Sequence, residues 1–339
     1  CRLKQYAMKK NSCKEKAIRH MLYIIRSRVT KLVIVFLLLP TLFCGCGRKP
    51  AAKAGDLQGN ITVSGAFALY PLMLRWADAF SQRHPGVTID VSAGGSGKGV
   101  TDVLAGQVDL GMVSRELKAP ECQRGAMAVA VAQDAVVPII NIRHPLYRHL
   151  LRRGLSQKVA CGIWVTGTIK TWGQAAGVNS HALINVYTRS DACGAAETFA
   201  SWLKSHQEDL LGTGVYGDPG IVRQVANDPY GLGMCNISYA FDDQTGRPND
   251  GIALFPIDTN GDGHISKDEQ FYASKQSLIK AIQDGRYPSP PARQLFVVSK
   301  GKPQNIIVKA FLRFILEEGQ KYNIPAGFIP VHEKQKARH

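Results

Sequence analysis

The sequence predicts an α/β protein made of βαβ units, and three observations carry that prediction. Short β-branched stretches near Ile61, Val87 and Val108 each end in a Ser/Gly-rich turn, and two of those turns open segments with helical apolar spacing. Hydrophobic residues make up 45% and charged residues 20%, the balance of a soluble globular chain. The 339 residues, at roughly 150 per domain, suggest two domains.

The elements follow in order. Ile61, Thr62 and Val63 form a strand that ends at Ser64-Gly65-Ala66-Phe67. Residues 69–83 place Leu69, Leu72, Met73, Trp76, Ala77 and Phe80 on one helical face, and Pro85-Gly86 stops the helix. A strand over 87–91 leads into Gly94-Gly95-Ser96-Gly97-Lys98-Gly99 and a short helix through Leu104. The strand at 108–113 ends at Ser114-Arg115. Residues 135–142 and 184–187 read as strands, the second leading through Arg189 to Cys193-Gly194-Ala195 and a helix over 196–205. A strand enters at 231–237, and a last helix runs over about 305–318. Ligands bind at the carboxyl ends of strands in such folds.

Of the net charge of +16, +9 falls in residues 1–45 (ten Lys/Arg, one acid), leaving +7 for the rest. That remainder has no long basic run and no nucleic-acid motif, so no nucleic-acid partner is expected; an anionic ligand or surface suits it. Arg26, Arg28 and Lys31 precede an apolar run from Leu32 to Phe43 that is too short to span a bilayer of roughly 30 Å. This reads as a secretory signal. Leu42-Phe43-Cys44-Gly45-Cys46 resembles a bacterial lipobox, with cleavage after Gly45 leaving Cys46 as the lipidated N-terminus. Residues 47–56 read as a tether. Of the four body cysteines (Cys122, Cys161, Cys193 and Cys235), no two have metal-ligand spacing. They read as small buried residues, with disulfides as the alternative that export permits.

Helix N-termini bind anions through unpaired N–H groups and the dipole. Three turns offer that feature with small residues: 64–67, 95–99 and 192–196. Arg115 and Arg189 could add planar donor forks. Residues 94–99 are neither a Walker A loop nor a dinucleotide fingerprint, because Lys98 is followed by Gly99 and the glycines of this stretch do not fall in G-x-G-x-x-G spacing. No nucleophile–base signature stands out, so the chain does not read as an enzyme; Cys193, in a helix-opening turn, is the one thiol with a candidate lowered pKa.

Residues 258–269 match a twelve-residue EF-hand loop. Asp258, Asn260, Asp262 and Glu269 would give side-chain oxygens, His264 a carbonyl, and Ser266 a hydroxyl or bridged water. No second such loop occurs, so the expected cofactor is one structural Ca²⁺.

Taken together, VSGAFALYPLMLRWADAF, AGGSGKGVTDVLAGQVDLGMVSRELK, TGTIKTWG, VYTRSDACGAAETF, DPYGLGMCNISYAF, ARQLFVVSKGKPQ and the closing AFLRFILEEGQKYNIPAGFIPV resemble, in order and spacing, the solute-binding lipoprotein of the phosphate-type ABC transporter. The resemblance covers residues 57–332. It implies a type II periplasmic-binding-protein fold: two α/β lobes joined by two crossover strands, with lobe 1 at 57–134 and 244–339 and lobe 2 at 135–243. It implies a monomer at the periplasm or cell surface, anchored to a membrane through Cys46, that captures inorganic phosphate and delivers it to ABC permease subunits. Another oxyanion, or an exported enzyme on phosphate esters, is the alternative. Ser96 and Arg189 match the family's anion-binding residues, and Gly194 a backbone donor. The departures are Ala66-Phe67 where a Thr is usual, Cys193-Gly194-Ala195 for Ser-Gly-Thr, and Ser114-Arg115 where the turn often carries Asp. The last implies weaker rejection of fully ionised anions such as sulfate.

Overall fold

The computed structural model describes residues 57–331. Residues 1–56, on which the expected signal, the Cys46 lipidation site and the tether fall, and residues 332–339 lie outside the described residues. The strands are β1 Gly59–Gly65, β2 Val87–Ala93, β3 Leu110–Val113, β4 Ala126–Asn141, β5 Leu155–Ser156, β6 Asn185–Arg189, β7 Thr213–Val215, β8 Gly231–Asn236, β9 Ile252–Leu254, β10 Ile257–Asp258, β11 Ala292–Lys300 and β12 Ile329–Pro330. The helices that position the site are α1 Tyr70–Arg83, α2 Ser96–Leu104, α3 Ala119–Gln123, α4 Tyr147–Arg153, α5 Gln157–Trp164, α6 Trp172–Ala176, α7 Gly194–Trp202, α8 Gly217–Asn227, α9 Ile237–Ala240, α10 Lys275–Gln283 and α11 Ile306–Leu316.

One sheet runs in the order β2-β1-β3-β11-β4-β8-β6-β7. β1 pairs in parallel with β2 and β3, as βαβ connections require. The 16-residue β4 belongs to both lobes. Its residues 126–135 lie antiparallel to β11, and its residues 136–141 lie antiparallel to β8 and β9. The change of partner falls between Ala135 and Val136, which makes this point the junction of the lobes.

Each lobe buries its own core. In lobe 1, one sheet face packs Ile61, Leu72, Trp76, Phe80, Phe311 and Phe314, and another cluster holds Val100, Val103, Val113, Phe296 and Val298. In lobe 2 the core contains Trp164, Trp172, Phe199 and Phe255. Each such side chain contributes about 1.5–3 kcal/mol by leaving water.

The expected boundary at 243/244 is corrected by where the apolar residues go. Ile252, Leu254, Phe255, Phe271, Leu278 and Ile279 all bury in the lobe-2 core, Phe255 against Trp172 with ring centroids 6.4 Å apart. β9 pairs with β4, and β10 with β5. The chain therefore re-enters lobe 1 at β11, and the EF-hand-like loop is a lobe-2 element. The first half of β4 and all of β11 were not anticipated as strands from periodicity. Their Ala-rich and charged stretches carry a weak alternating signal that tertiary pairing overrides.

Candidate functional site

Close backbone packing aims the turns. A Cβ on Gly99 would lie 2.8 Å from the Met112 carbonyl oxygen and 2.9 Å from the Gly65 Cα. Glycine there lets α2 lie directly on β1 and β3, with its first turn at the carboxyl ends of both strands. Gly65 itself has φ +132 and would clash with Met112 if it carried a side chain. Its carbonyl accepts the N–H groups of Gly94 (2.8 Å) and Gly95 (3.0 Å), which shapes the turn before α2.

The lobe-1 side is built from serines. Ser96 and Ser114 are both buried. Ser96 Oγ accepts the Ser114 N–H at 3.0 Å and lies 3.2 Å from Ser114 Oγ. Ser64 donates to Asp102 Oδ2 at 2.7 Å, and the same oxygen pairs with Lys98. Burial works to raise the Asp102 pKa, but Lys98 and Ser64 hold it below the usual carboxylate range. Ser64 and the Ala66 N–H, which donates to the Met112 carbonyl at 2.8 Å, are thus committed to the scaffold.

The lobe-2 side centres on Arg189, whose side chain is 1% exposed. Its Nε and Nη2 donate to both oxygens of Asp191 at 2.8 and 2.5 Å, and its Nη1 donates to Asp218 Oδ2 at 2.6 Å. Burial opposes its charge, yet Asp218, Cys193 and Asp191 together raise its pKa. The Phe67 ring reaches across from lobe 1 to lie over the guanidinium, 5.3 Å from ring centroid to Cζ, and Tyr216 meets that ring edge-on at 5.6 Å. Cys193 caps α7: its Sγ accepts the Ala196 N–H at 3.4 Å. Burial pushes this thiol up to about 11, against Arg189, so the expectation of a lowered pKa does not hold.

The two turns meet. Gly97 donates to the Ala192 carbonyl at 3.2 Å, and a Cβ on Gly194 would sit 2.3 Å from the Ser114 carbonyl oxygen. The structure therefore gathers Phe67, Ser96, Gly97, Ser114, Arg189, Cys193 and Gly194, with Ala195 in the first turn of α7. First-turn N–H groups of α2 and α7 have no partner within their helices, so the junction is a place for a small anion with proton-donating neighbours.

Arg115 does not join it. Both of its terminal nitrogens are held by Glu121, at 2.9 and 2.7 Å, at the start of α3. Two carboxylates were missed by sequence reasoning. Asp191 stands two residues after Arg189, where an acid can fold back on the guanidinium. Asp218 sits in Gly217-Asp218-Pro219-Gly220, a strand-to-helix turn of the same type as the three that were singled out. Both bear on the expectation of weak sulfate rejection, since Arg189 is flanked by two negative charges.

The loop at 258–269 is ordered around two buried carboxylates. Asp258 accepts the N–H groups of Gly261 and Gly263 at 2.8 and 2.9 Å. Glu269 accepts from Thr259 (N–H 2.8 Å, hydroxyl 2.5 Å) and from Ser266 (N–H and hydroxyl, both 2.9 Å). Burial raises the Glu269 pKa, and these bonds more than offset it. Asp262 accepts the His264 N–H at 2.8 Å and a bond from Asn260 Nδ2 at 2.9 Å. Among the described residues, no three His, Cys, Asp or Glu side chains gather as they would around a metal ion. The four body cysteines are free; Cys193 and Cys235 are buried, whereas Cys122 is exposed and Cys161 only half-buried, against the expectation for all four.

Comparison with known proteins agrees with this architecture. The phosphate-binding protein PstS of Bacillus subtilis is 27% identical over 322 residues, covering 91% of this chain and 96% of the relative. Protein SphX of Synechococcus elongatus is 23% identical, covering 88% and 85%. Among solved structures, a phosphate-bound substrate-binding protein from Clostridium perfringens, assigned to phosphate ABC transport, superposes with a TM-score of 0.66 at 24% identity, covering 81% of this chain and 100% of that one. An ABC-type phosphate transport receptor from Vibrio cholerae superposes with a TM-score of 0.58 at 20% identity, covering 80% and 100%. The PBP superfamily domain matches residues 50–318. That span, which takes in both lobes and the whole cleft, makes the protein a member of the PBP superfamily.

Proposed function

We propose that the protein is an extracytoplasmic receptor that captures inorganic phosphate between its lobes and delivers it to ABC permease subunits. The observation that carries this reading is the meeting of two helix N-termini, Ser96, Ser114 and the buried Arg189 at the carboxyl ends of the strands. The relatives named for phosphate binding support it. Helix N-termini and hydroxyls donate to the anion, and Arg189 supplies positive charge that Asp191 and Asp218 hold in place. The carboxylates also favour a ligand that brings a proton, as phosphate does near neutral pH and sulfate does not. Ser114 alone would reject sulfate weakly; with Asp191 and Asp218 present, rejection should be substantial.

Titration of purified residues 47–339 with phosphate, arsenate and sulfate tests the reading. Phosphate uptake with weak or absent sulfate uptake supports it; no oxyanion uptake overturns it. A chromogenic phosphate ester should give no product. We propose further that Cys46 carries a lipid, because the signal ends in Gly45-Cys46; Cys46→Ser should move the protein from the membrane to the soluble fraction. The described residues contain no helix long and apolar enough to cross a membrane. The 258–269 loop is proposed to take Ca²⁺, supported by its all-oxygen donor set in EF-hand order.

A further inference from the structure

A string of buried charges joins the lobe junction to Arg189. It starts where β4 changes partner. Arg293, opposite Asp134 in the β11–β4 register, donates from Nε to Asp134 Oδ1 at 2.8 Å and from Nη2 to Oδ2 at 3.3 Å. The Asp134 side chain is fully buried and that of Arg293 6% exposed. The same guanidinium reaches two lobe-2 elements: Nη1 donates to Thr198 Oγ1 on α7 at 3.2 Å, and Nη2 donates to the Asn236 side-chain oxygen at the end of β8. Asn236 in turn donates its N–H to Asp218 Oδ1 at 2.7 Å, and Asp218 Oδ2 accepts from Arg189. One planar fork therefore touches a crossover strand, the anion-site helix and the strand end that orients Asp218.

We propose that Arg293 is a positioning residue for anion capture, holding Arg189 in register through Asn236 and Asp218. The proposal rests on the reading of the cleft as an anion site. Bending at the junction must move Arg293 relative to Thr198 or Asn236, and Asn236 cannot shift without moving the N–H that aligns Asp218. The alternation of charge, Asp134 to Arg293 and Asp218 to Arg189, means that no member can leave without stranding a buried charge. The fork geometry is specific to arginine: a lysine ammonium keeps the charge opposite Asp134 but cannot serve Asp134, Thr198 and Asn236 together.

The test is a pair of double-mutant cycles read by phosphate titration. Arg293→Lys should weaken phosphate binding about 5–150-fold, the usual range of coupling between sites. Combined with Asp218→Asn, it should cost no more than the worse single change, because both break one string. Combined with Ser96→Ala, which lies off the string, the two losses should multiply. A merely structural role for Arg293 would lower the melting temperature and leave both combinations multiplicative. Binding by Arg293→Lys within twofold of wild type, or losses that multiply with Asp218→Asn, overturns the proposal. If Arg293→Lys does not fold, Asn236→Ala breaks the string with the Arg293–Asp134 pair intact and is read in the same cycles, against the same criteria. Wild type that takes up no phosphate overturns the receptor reading itself; a normal wild-type isotherm beside an unchanged variant overturns only the relay.

Discussion

Gly194→Ala should separate closure from folding. The position opens α7 and needs no left-handed backbone, so alanine is conformationally acceptable in lobe 2, and its helix propensity exceeds that of glycine by roughly 1 kcal/mol. Across the cleft the position has no room. An added Cβ would lie 2.3 Å from the Ser114 carbonyl oxygen, 2.4 Å from its Oγ and 2.6 Å from its carbonyl carbon. Restoring an ordinary contact near 3.4 Å requires the lobes to separate by about 1 Å, because the nearest atom is backbone. That displacement stretches the Gly97–Ala192 bond of 3.2 Å beyond hydrogen-bond range and draws Ser114 from α7. One or two hydrogen bonds at about 0.5–1.5 kcal/mol each put the cost to the closed state at about 0.5–3 kcal/mol. At 1.4 kcal/mol per tenfold, phosphate affinity should fall about 2–150-fold. Calorimetric titration with phosphate, beside thermal melting without ligand, is the assay. The melting temperature should hold while affinity falls. Ser114→Ala should not rescue the variant, because the carbonyl remains, and Gly97→Ala, whose Cβ would come only to 3.1 Å from the Ala192 methyl, should show a smaller loss. Wild-type affinity in Gly194→Ala would refute the contact as a feature of the ligand-competent state.

Other outcomes follow from the same geometry. Arg115→Ala should leave phosphate affinity within about twofold, since Glu121 holds that guanidinium, and should lower the melting temperature by a few degrees for about 1 kcal/mol lost. His144 has its pKa lowered to about 4 by burial, from 6.5. Its neutral form belongs to the folded state, so the stability it contributes is present above pH 6.5 and is lost as pH falls toward 4. The total loss, at most about 3 kcal/mol and less where solvent reaches the ring, should shrink in His144→Gln on melting between pH 4 and 7. Calcium at about 1 mM should raise the melting temperature by the equivalent of about 0.4–1.4 kcal/mol for a site of about 10⁻⁴ to 10⁻³ M. Glu269→Gln should abolish that rise, and equal melting in chelator and calcium would remove the calcium assignment.

Sequence periodicity located β1, α1, β2, α2 and β3 because each strand end is marked by small residues and each helix by an apolar face. The same turn chemistry put Ser96, Arg189 and Gly194 on the site. It could not reveal that Arg115 is spent on Glu121, since a bidentate pair six residues apart depends on where α3 folds back. Asp218 escaped for a related reason: its meaning comes from Arg189, 29 residues away. The lobe boundary failed because residues 252–287 carry ordinary apolar patterning, and which core receives them is decided by pairing with β4.

The two lobes differ in how the chain supplies them. Lobe 2 is drawn from one unbroken stretch between the middle of β4 and the start of β11, whereas lobe 1 needs both ends of the described chain. Phe311 and Phe314 of α11 pack on Phe80 of α1 at centroid distances of 5.2 and 5.5 Å. A chain emerging N-terminus first can complete lobe 2 while the first βαβ units still lack their covering helix and their antiparallel strand β11. Until α11 arrives, the apolar face of Ile61, Leu72 and Phe80 stands open to water or to other chains. Vectorial emergence thus makes the last forty residues of the described chain the step that protects the first thirty, and a truncation before α11 should leave a folded lobe 2 joined to an aggregation-prone sheet.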